Sequence, residues 1–330
     1  MKTSWFTLAR VAALGAGITA YTAARASHDY QLRKFRLRVD SPALAKVGPG
    51  EPGLRILHLS DTHLYRGRED LVAWLTRLAQ RAHEDYDLVL LTGDLLSTVF
   101  GEKFLIERAL TPLIESGVPG AYVFGYHDFE VNQPGNPLGY LCRTTQAESV
   151  SQRGFSEREN NLTRLLKDSH WLDLNNTQAS LQVRGVNLEF SGVADPHAGW
   201  DDFVGFSPRA EVAAGAALRL GLAHAPYQAV LDKFAASGAE VVFCGHTHGG
   251  QVCLPTGGAL TSNCDLPTRY ASGLFAWKLG VNGYGGPVAL SRVPAGHRTA
   301  VSVSPGLGTS PFTPWRTFCP PSAYLIELVS

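Results

Sequence analysis

The sequence lacks a charge excess of either sign, since its 29 Lys and Arg residues balance 29 Asp and Glu residues. A neutral chain has no global field that attracts nucleic acid, so we expect no nucleic-acid partner. The sequence also contains no P-loop and no Gly-x-Ser-x-Gly motif, which argues against a P-loop nucleotidase and a serine hydrolase. What remains is an ordinary globular composition, with 45% hydrophobic and 18% charged residues.

Cysteine is scarce as well, with five residues and no Cys-x-x-Cys pair. The odd number argues against a complete disulfide framework, and we predict buried free thiols. Glycine and proline are abundant, with 34 and 19 residues. They predict many tight loops around a rigid scaffold.

The N-terminus lacks an uninterrupted apolar run long enough to cross a membrane. The run 11–24 has fourteen residues, and extending it back to Trp5 brings Arg10 inside; a spanning helix needs about 20 residues. We nevertheless interpret residues 1–26 as a membrane anchor or a signal segment, because basic residues flank the apolar run. The alternative is a partly buried N-terminal helix of a soluble protein.

The basic residues around this segment bear on its orientation. Two precede the apolar run and five follow it: Lys2 and Arg10, then Arg25, Arg33, Lys34, Arg36 and Arg38. By the positive-inside rule, this distribution favours a membrane-associated protein on the cytoplasmic face. An exported form is the alternative, because Ala24-Arg25-Ala26 resembles a small-x-small cleavage site.

Residues 27–53 are basic and then rich in Pro and Gly, so we interpret them as a linker and expect regular structure from Leu54 onward. Predicted strands at 54–60, 87–92 and 121–124 alternate with helices over 69–83 and 102–115, which indicates a parallel α/β arrangement. Further on, the sequence predicts a hairpin at 181–193, strands at 218–223, 241–244 and 323–329, and helices at 156–168 and 227–237. We therefore expect residues 54–330 to form one α/β domain of two packed mixed β-sheets flanked by helices.

Acidic and histidine side chains recur directly after the predicted strands. They are Asp61, His63, Asp94, His127, Asp128, His224, His246 and His248. Ligands of α/β sheets bind beyond the carboxyl ends of strands, where several loops converge. Carboxylates and imidazoles gathered there would repel one another or stay unsatisfied unless a cation held them. Mixed His and Asp ligation suits Mn, Fe, Zn or Co better than Mg or Ca.

Spacing adds detail to this predicted metal site. In extended backbone, Asp61 and His63 would point to the same face and reach one ion together. Asp94 has two carboxylate oxygens that could bridge two ions, and Gly245 permits a tight turn that separates His246 from His248. Two ions about 3.5–4 Å apart would polarise a phosphoryl group and generate hydroxide near neutral pH.

Each motif taken singly also has an ordinary structural explanation. Asp61 and Thr62 could cap a helix, Gly93-Asp94 could form a turn, and a lone histidine usually lies in the core or on the surface. The metal-site interpretation depends on all these residues following strand ends within one chain.

The motifs resemble those of the calcineurin-like metallophosphoesterase superfamily over about residues 54–329. The matching elements are Ser-Asp-Thr-His at 60–63, Thr-Gly-Asp at 92–94, Gly-Tyr-His-Asp at 125–128, His224 and Gly-His-Thr-His-Gly-Gly-Gln at 245–251. The chain also resembles a narrower bacterial membrane-associated branch, which includes enzymes similar to UDP-2,3-diacylglucosamine pyrophosphatase. The motifs that carry this resemblance are Leu-Pro at 254–255, Pro-Gly-Leu-Gly-Thr-Ser at 305–310, Pro-Trp-Arg at 314–316 and Cys-Pro-Pro at 319–321.

The resemblance implies a role for each matching residue. Asp61, His63 and His248 would hold one divalent ion, His224 and His246 the other, and Asp94 would bridge the two. The family's third motif is Gly-Asn-His-Asp, whose Asn is a ligand and whose His assists the leaving group, whereas this chain has Tyr126 at the Asn position. Either His127 replaces the missing ligand at the second ion, or it stays a catalytic proton donor beside a site that is one ligand short.

These features together predict a hydrolase that cleaves a phosphoester or pyrophosphate bond with two divalent ions, Mn, Fe, Zn or Co. The expected partners are a lipid-linked or nucleotide-linked phosphoester substrate and a membrane reached through the N-terminal segment. The alternative is a non-catalytic metal-binding or interaction protein with a degenerate phosphoesterase site.

Three further elements have two interpretations each. Asp195-Pro196-His197 either borders the site or is a routine turn. Arg316 either meets a substrate phosphate or makes a structural salt bridge. The aromatic residues at 312–318 either pack in the core or form an apolar rim for a lipid tail.

Overall fold

The computed structural model describes residues 22–47, 51–97, 103–130, 160–207 and 217–330. In these residues the strands are β1 (Gln31–Arg38), β2 (Leu54–Leu59), β3 (Leu88–Thr92), β4 (Gly120–Val123), β5 (Leu172–Asp173), β6 (Thr177–Val183), β7 (Val186–Val193), β8 (Leu218–Ala223), β9 (Val241–Cys244), β10 (Gly273–Leu279), β11 (Gly285–Val288), β12 (Thr299–Val303) and β13 (Ser322–Val329). The α-helices are α1 (Glu69–Ala79), α2 (Ala82–Asp85), α3 (Lys103–Glu115), α4 (Asn161–Lys167) and α5 (Gln228–Ala236), and residues 22–26 are also helical.

The described strands form two mixed sheets, as the sequence predicts. The first has the order β1-β13-β2-β3-β4-β5 and the second the order β11-β10-β12-β9-β8-β7-β6. In the first sheet β2, β3, β4 and β5 run parallel, while β13 is antiparallel to β2. In the second sheet, β6 and β7 form the predicted antiparallel hairpin, and β7, β8, β9 and β12 run parallel to one another.

Apolar side chains fill three layers around these sheets. Between the sheets lies a buried cluster that includes Ile56, Leu90, Leu220, Phe243 and Ile326. Helices α1, α3 and α4 cover the outer face of the first sheet, and α5 covers the outer face of the second. Because both faces of the central strands are buried, their sequences are continuous apolar runs without alternation. This arrangement leaves the strand ends as the place where polar side chains can meet.

Regular structure begins earlier than the sequence predicts. Residues 31–38 form strand β1, which pairs in parallel with β13 from Gln31 opposite Ser322 to Arg38 opposite Val329. The expectation that residues 27–53 are only a connector is therefore wrong for β1. Half of the side chains of this edge strand are basic, and Leu37 is its single buried position, so the strand shows no apolar run.

The helix predicted over 69–83 is divided into α1 and α2. The Tyr86 hydroxyl donates to the Leu78 carbonyl oxygen at 3.0 Å, which satisfies an acceptor that a continuing helix would use. The helix predicted over 156–168 is α4 from Asn161, and residues 156–159 lie outside the described residues.

Two expectations concern the termini and the thiols. No helix within the described residues is long and apolar enough to cross a membrane, and residues 1–21 of the predicted anchor lie outside that part. The described cysteines are free and buried, as predicted: Cys244, Cys253, Cys264 and Cys319. Cys142 lies outside the described residues.

Candidate metal centre

The loops that carry the predicted ligands meet at one edge of the sandwich. Asp61 and His63 follow β2, Asp94 follows β3, His224 follows β8, and the two remaining histidines follow β9. The first two loops are joined by backbone hydrogen bonds, because the Asp61 N–H donates to the Gly93 carbonyl at 2.9 Å and the His63 N–H to the Asp94 carbonyl at 3.0 Å. Neighbouring strand ends therefore bring these side chains together as predicted.

Asp61, His63 and His248 form the first group. Their ligand atoms all lie within 4.8 Å of one another, and all three residues are buried. The Nε2 atoms of His63 and His248 are 3.1 Å apart, and the His248 Nε2 is 3.6 Å from the Asp61 Oδ1. Such separations are those of atoms that share one ion, with metal–ligand bonds of about 2.0–2.2 Å.

Asp94, His224 and His246 form the second group, with the same 4.8 Å limit and equal burial. His224 Nδ1–H donates to the Thr92 carbonyl at 2.6 Å, so Nε2 is the ring nitrogen that faces the site. This Nε2 is buried, has no hydrogen-bond partner among the described residues and faces the Asp94 Oδ2 at 3.3 Å. A buried Nε2 of this kind fits a divalent cation. The Thr92 carbonyl orients the ring through Nδ1, as backbone carbonyls commonly do for metal-binding histidines.

Asp94 lies between the two groups. Its Oδ2 is 3.6 Å from the Nε2 of His63 in the first group and 3.3 Å from the Nε2 of His224 in the second. Its Oδ1 accepts the backbone N–H of His127 at 2.9 Å. A single oxygen therefore faces both groups, whereas the sequence argument assigned the bridge to two carboxylate oxygens; the bridging role stays a prediction.

The backbone at these residues is not extended, which corrects one part of the sequence argument. Five of the six predicted ligands have positive φ: Asp61 at 49°, His63 at 40°, Asp94 at 51°, His246 at 67° and His248 at 50°. Non-glycine residues rarely adopt this region, and such strain clusters at functional sites. Asp61 and His63 thus converge because each turns out of its strand in a left-handed conformation.

Gly245 has a different role from the one predicted. It has no positive φ, so the turn does not require its conformational freedom. A Cβ at this position would overlap the Ser60 hydroxyl and the Asp61 carboxylate. The glycine is therefore needed for close approach, because the Asp61 Oδ2 accepts both the Ser60 hydroxyl at 2.6 Å and the His246 N–H at 2.9 Å.

Burial and neighbouring charges together set the protonation of the site. Burial lowers the pKa of His63 to about 3 and holds the pKa values of His246 and His248 well below the ordinary value, so these imidazoles are neutral as ligands require. Burial would raise the pKa of Asp94, but positive charge on the neighbouring imidazoles, His224 foremost, holds it well below its usual range. Burial would lower the pKa of His224, but the charge of Asp94 raises it well above the ordinary value. Asp94 is therefore a carboxylate.

Two acidic residues organise the loops around the ligands. The buried Asp128 carboxylate accepts the backbone N–H groups of Asp94, Leu95, Leu96 and Gly125 at 2.7–3.1 Å. Asp195 accepts the N–H of Tyr126 at 2.9 Å and that of His197 at 2.8 Å. The sequence did not predict that Asp128 and Asp195 hold these loops in place. Their position after predicted strands was the only sequence signal for such a role.

Asp195-Pro196-His197 borders the site, which decides between its two interpretations. The His197 ring centroid is 4.3 Å from that of His246, and its Nδ1 is 2.9 Å from the Tyr227 hydroxyl. The segment therefore lies on the side of the second group.

The comparisons with known proteins agree with this geometry. A model of the calcineurin-like phosphoesterases matches residues 54–250, more than half of the chain. The chain belongs to the calcineurin-like phosphoesterase family. No curated protein matches it, and its place in the narrower bacterial membrane-associated branch stays a prediction.

Two solved structures are similar at low identity. A Plasmodium protein described as GAP50, the anchor in the inner membrane complex, is 12% identical with a TM-score of 0.33, covering 72% of this chain and 71% of that chain. A dimetal phosphatase from Danio rerio is 14% identical with a TM-score of 0.29, covering 75% and 91%. At these scores the likenesses carry no argument about function.

The third family motif is where this calcineurin-like chain departs from its relatives' pattern. Tyr126 is half-buried with its ring centroid 5.8 Å from that of Trp200. His127 belongs to neither group of ligand atoms found among the described residues. Its ring centroid lies 5.4 Å from that of His63, and its buried Nδ1 has no hydrogen-bond partner within the described part of the chain.

Arg316 holds the loop that carries His248, a member of the first group. It is fully buried and donates to the carbonyl oxygens of Pro305 at 2.8 Å, Gly308 at 2.7 Å and His248 at 3.2 Å. Its Nη2 is also 3.2 Å from the His248 Nδ1. These contacts favour a structural role for Arg316 over phosphate binding. They are made to carbonyl oxygens, whereas a salt bridge was expected from the sequence.

Proposed function

We propose that the chain hydrolyses a phosphoester or pyrophosphate bond at a two-metal centre. The observation that carries this proposal is the pair of buried ligand groups with the Asp94 Oδ2 between them. Two divalent ions bound there would generate a nucleophile from water at neutral pH and neutralise charge on the phosphoryl group. Membership of the calcineurin-like phosphoesterase family supports the same reaction.

The chain's own residues have separate tasks in this reaction. Asp61, His63 and His248 would hold one ion, and His224 and His246 the other, with Asp94 shared. Arg316 fixes His248 by donating to its backbone carbonyl oxygen. His127 lies beside both Asp94 and His63, a position from which its imidazole would donate a proton to the leaving group. We propose that the substrate is lipid-linked or nucleotide-linked.

A second candidate function is metal binding without catalysis. Tyr126 replaces the family's ligand Asn, and the second group contains three ligand residues among those the structure describes. A neutral phenol is a poor ligand for a divalent ion, so weak occupancy of the second site would leave an interaction protein with a degenerate centre.

Turnover of a bis-aryl phosphate with added Mn²⁺ distinguishes these functions. We expect metal-dependent hydrolysis by the wild type and a loss of roughly 100-fold or more in kcat for Asp94→Asn. Asp202→Asn is the matched control, because Asp202 is exposed. A protein that binds two equivalents of metal yet hydrolyses no member of a phosphoester and pyrophosphate panel would support the non-catalytic function.

A further inference from the structure

A surface beside the first ligand group contains no exposed charge. It is formed by residues 251–263 and 305–321, which we call the uncharged surface. These segments contain one ionisable side chain of Asp, Glu, Lys, Arg or His type, Arg316, and that side chain is fully buried. A continuous stretch of surface without charge is typical of an interface.

Backbone hydrogen bonds hold the two segments side by side. The Cys253 N–H donates to the Thr317 carbonyl at 2.9 Å, and the Thr317 N–H donates to the Gln251 carbonyl at 3.0 Å. The Leu260 N–H donates in turn to the Val252 carbonyl at 3.2 Å. The uncharged surface is thus one structural unit.

Large apolar side chains project from this unit into solvent. Phe318 is 61% exposed, Leu254 49% and Leu260 47%. Phe318 has a φ of 53°, a left-handed conformation that is unusual for a bulky residue. Exposed leucines are common one at a time, but here three large apolar residues lie on paired segments, one of them on strained backbone. Clustered exposure of this kind marks an interaction site.

The uncharged surface adjoins the metal centre. The Cys319 Sγ is 3.4 Å from the carbonyl oxygen of His248, a predicted ligand of the first ion. The Gln251 side chain donates to the carbonyl groups of Thr313 at 2.8 Å and Trp315 at 3.0 Å. These contacts connect the uncharged surface to the loop that carries His248.

The N-terminal segment identifies the occupant. The Arg316 N–H donates to the Ala23 carbonyl at 3.0 Å, and the Arg68 Nη1 donates to the Ser27 carbonyl at 3.1 Å. Residues 22–27 are thereby attached to the segment that carries Phe318. In the sequence they overlap the end of the apolar run 11–24. A membrane that binds this run, as the sequence predicts, would therefore lie next to the uncharged surface.

We propose that the uncharged surface rests on a lipid bilayer beside the inserted N-terminal segment, with Phe318, Leu254 and Leu260 in the interfacial region. Apolar side chains gain free energy there, and the absence of charge avoids a desolvation penalty. The metal centre is then held at the membrane surface. Resting on the proposed function, the substrate is a phosphate ester or pyrophosphate carried by a lipid.

A second exposed apolar pair offers a matched control. Val281 and Tyr284 are highly exposed in the turn between β10 and β11. Strand β10 begins at Gly273, opposite Val303. This end of β12 leads into the metal-site loops, and β10 runs away from it to Leu279. The turn therefore lies at the opposite end of the second sheet, where the proposal places no bilayer.

Hydrogen exchange of the full chain, with and without phosphatidylcholine–phosphatidylglycerol vesicles, tests the surface. We expect several-fold slower exchange at 251–263 and 310–321 with vesicles and no change at 280–284. Leu254→Ser with Phe318→Ser should remove this protection, whereas Val281→Ser with Tyr284→Ser should keep it. Unchanged exchange at both segments in protein that floats with the vesicles would overturn the proposal. Protection that grows with protein concentration in lipid-free samples would indicate a second copy instead.

Kinetics separate this surface from the proposed function. The Leu254→Ser, Phe318→Ser double variant should raise the KM for a phospholipid substrate in vesicles about tenfold or more, because each buried side chain contributes binding energy. Its turnover of soluble bis-aryl phosphate should equal that of the wild type. Equal KM values for both proteins on vesicles would contradict the proposal. If neither protein hydrolyses any substrate, the proposed function fails while the exchange data still decide the surface.

Discussion

At the scale of single residues, the site depends on backbone conformations that most side chains avoid. Asp61, His63 and Asp94 each have positive φ, and conformations of this kind persist only where the surroundings fix them. Asp128 provides that fixation by accepting the N–H groups of Asp94, Leu95 and Leu96. The geometry of the ligands is therefore a property of the loops as well as of the ligand side chains.

Gly245→Ala should damage the site by overlap with Ser60 and Asp61. We expect a loss of about 1–3 kcal/mol in the free energy of unfolding, together with lower metal content. Urea unfolding and metal analysis measure these effects. Gly286→Ala is the control, because open space surrounds a Cβ at that position, and it should change stability by less than about 0.5 kcal/mol. Equal effects of the two substitutions would argue against close approach as the reason for Gly245.

His127→Ala separates the two roles considered for this residue. Its side chain belongs to neither ligand group found in the described residues, so we expect unchanged metal content and a fall in kcat of about 100-fold, as for the loss of a general acid. His127→Gln should behave similarly, because an amide does not transfer the proton. Metal content that drops by one ion in His127→Ala would show instead that the imidazole is a ligand of the second site.

At the scale of elements, the parallel strands β2, β3, β8 and β9 each lead into a loop that carries predicted ligands. The edge strand β1 has a different task, since it extends the first sheet through its pairing with β13. Leu37 reaches the cluster between the two sheets, while Arg36 points to solvent with 70% of its side chain exposed. The segment that the sequence predicted as a linker thus includes one strand of the first sheet.

Leu37→Ala tests this role of β1. Removing a buried leucine side chain should lower the free energy of unfolding by about 2–4 kcal/mol. The neighbouring Arg36→Ala should have an effect below about 0.5 kcal/mol, because its ion pair with Glu327 is exposed at 3.7 Å. Chemical denaturation of both variants provides the measurement. Wild-type stability of Leu37→Ala would mean that β1 contributes little to the fold.

At the scale of the whole molecule, each predicted ion takes ligands from both sheets. The first group combines residues after β2 and β9, and the second combines residues after β3, β8 and β9. Metal binding is therefore coupled to the packing of one sheet on the other. His58 lies at that junction, with its Nδ1 3.2 Å from the Ser302 hydroxyl on β12 and its ring 5.3 Å from that of Phe243 on β9.

His58 makes stability depend on pH. Burial lowers its pKa from 6.5 to about 3, so between these values the unfolded chain binds a proton that the folded chain does not. The contribution to stability is complete above pH 6.5 and is lost as the pH falls toward 3. His58→Gln should flatten the curve of unfolding free energy against pH by up to about 1.4 kcal/mol per pH unit in this window. Urea unfolding at several pH values gives the two slopes, and parallel curves would contradict the expected role of burial.

Much of the fold was predictable from periodicity. The apolar runs that become β2, β3, β8 and β9 are continuous because both faces are buried, and their bounds agree with the structure within about one residue. The strand β1 was not predictable in this way, because four basic residues interrupt its pattern and only Leu37 is fully buried. The boundary between α1 and α2 likewise depends on a contact from Tyr86, which periodicity does not report.

The sequence by itself determined which residues could bind metal, because acidic and histidine side chains directly follow apolar runs in a fixed order. It also determined the family, since Gly-His-Thr-His-Gly-Gly-Gln and the other motifs are local strings. Only the tertiary structure showed that these six side chains, which lie on four loops, come within reach of one another as two groups. It also decided that the Asp94 Oδ2 faces both groups and that Arg316 fixes His248. The physical reason is that distances between loops depend on strand order and sheet packing, which residues far apart in the chain set together.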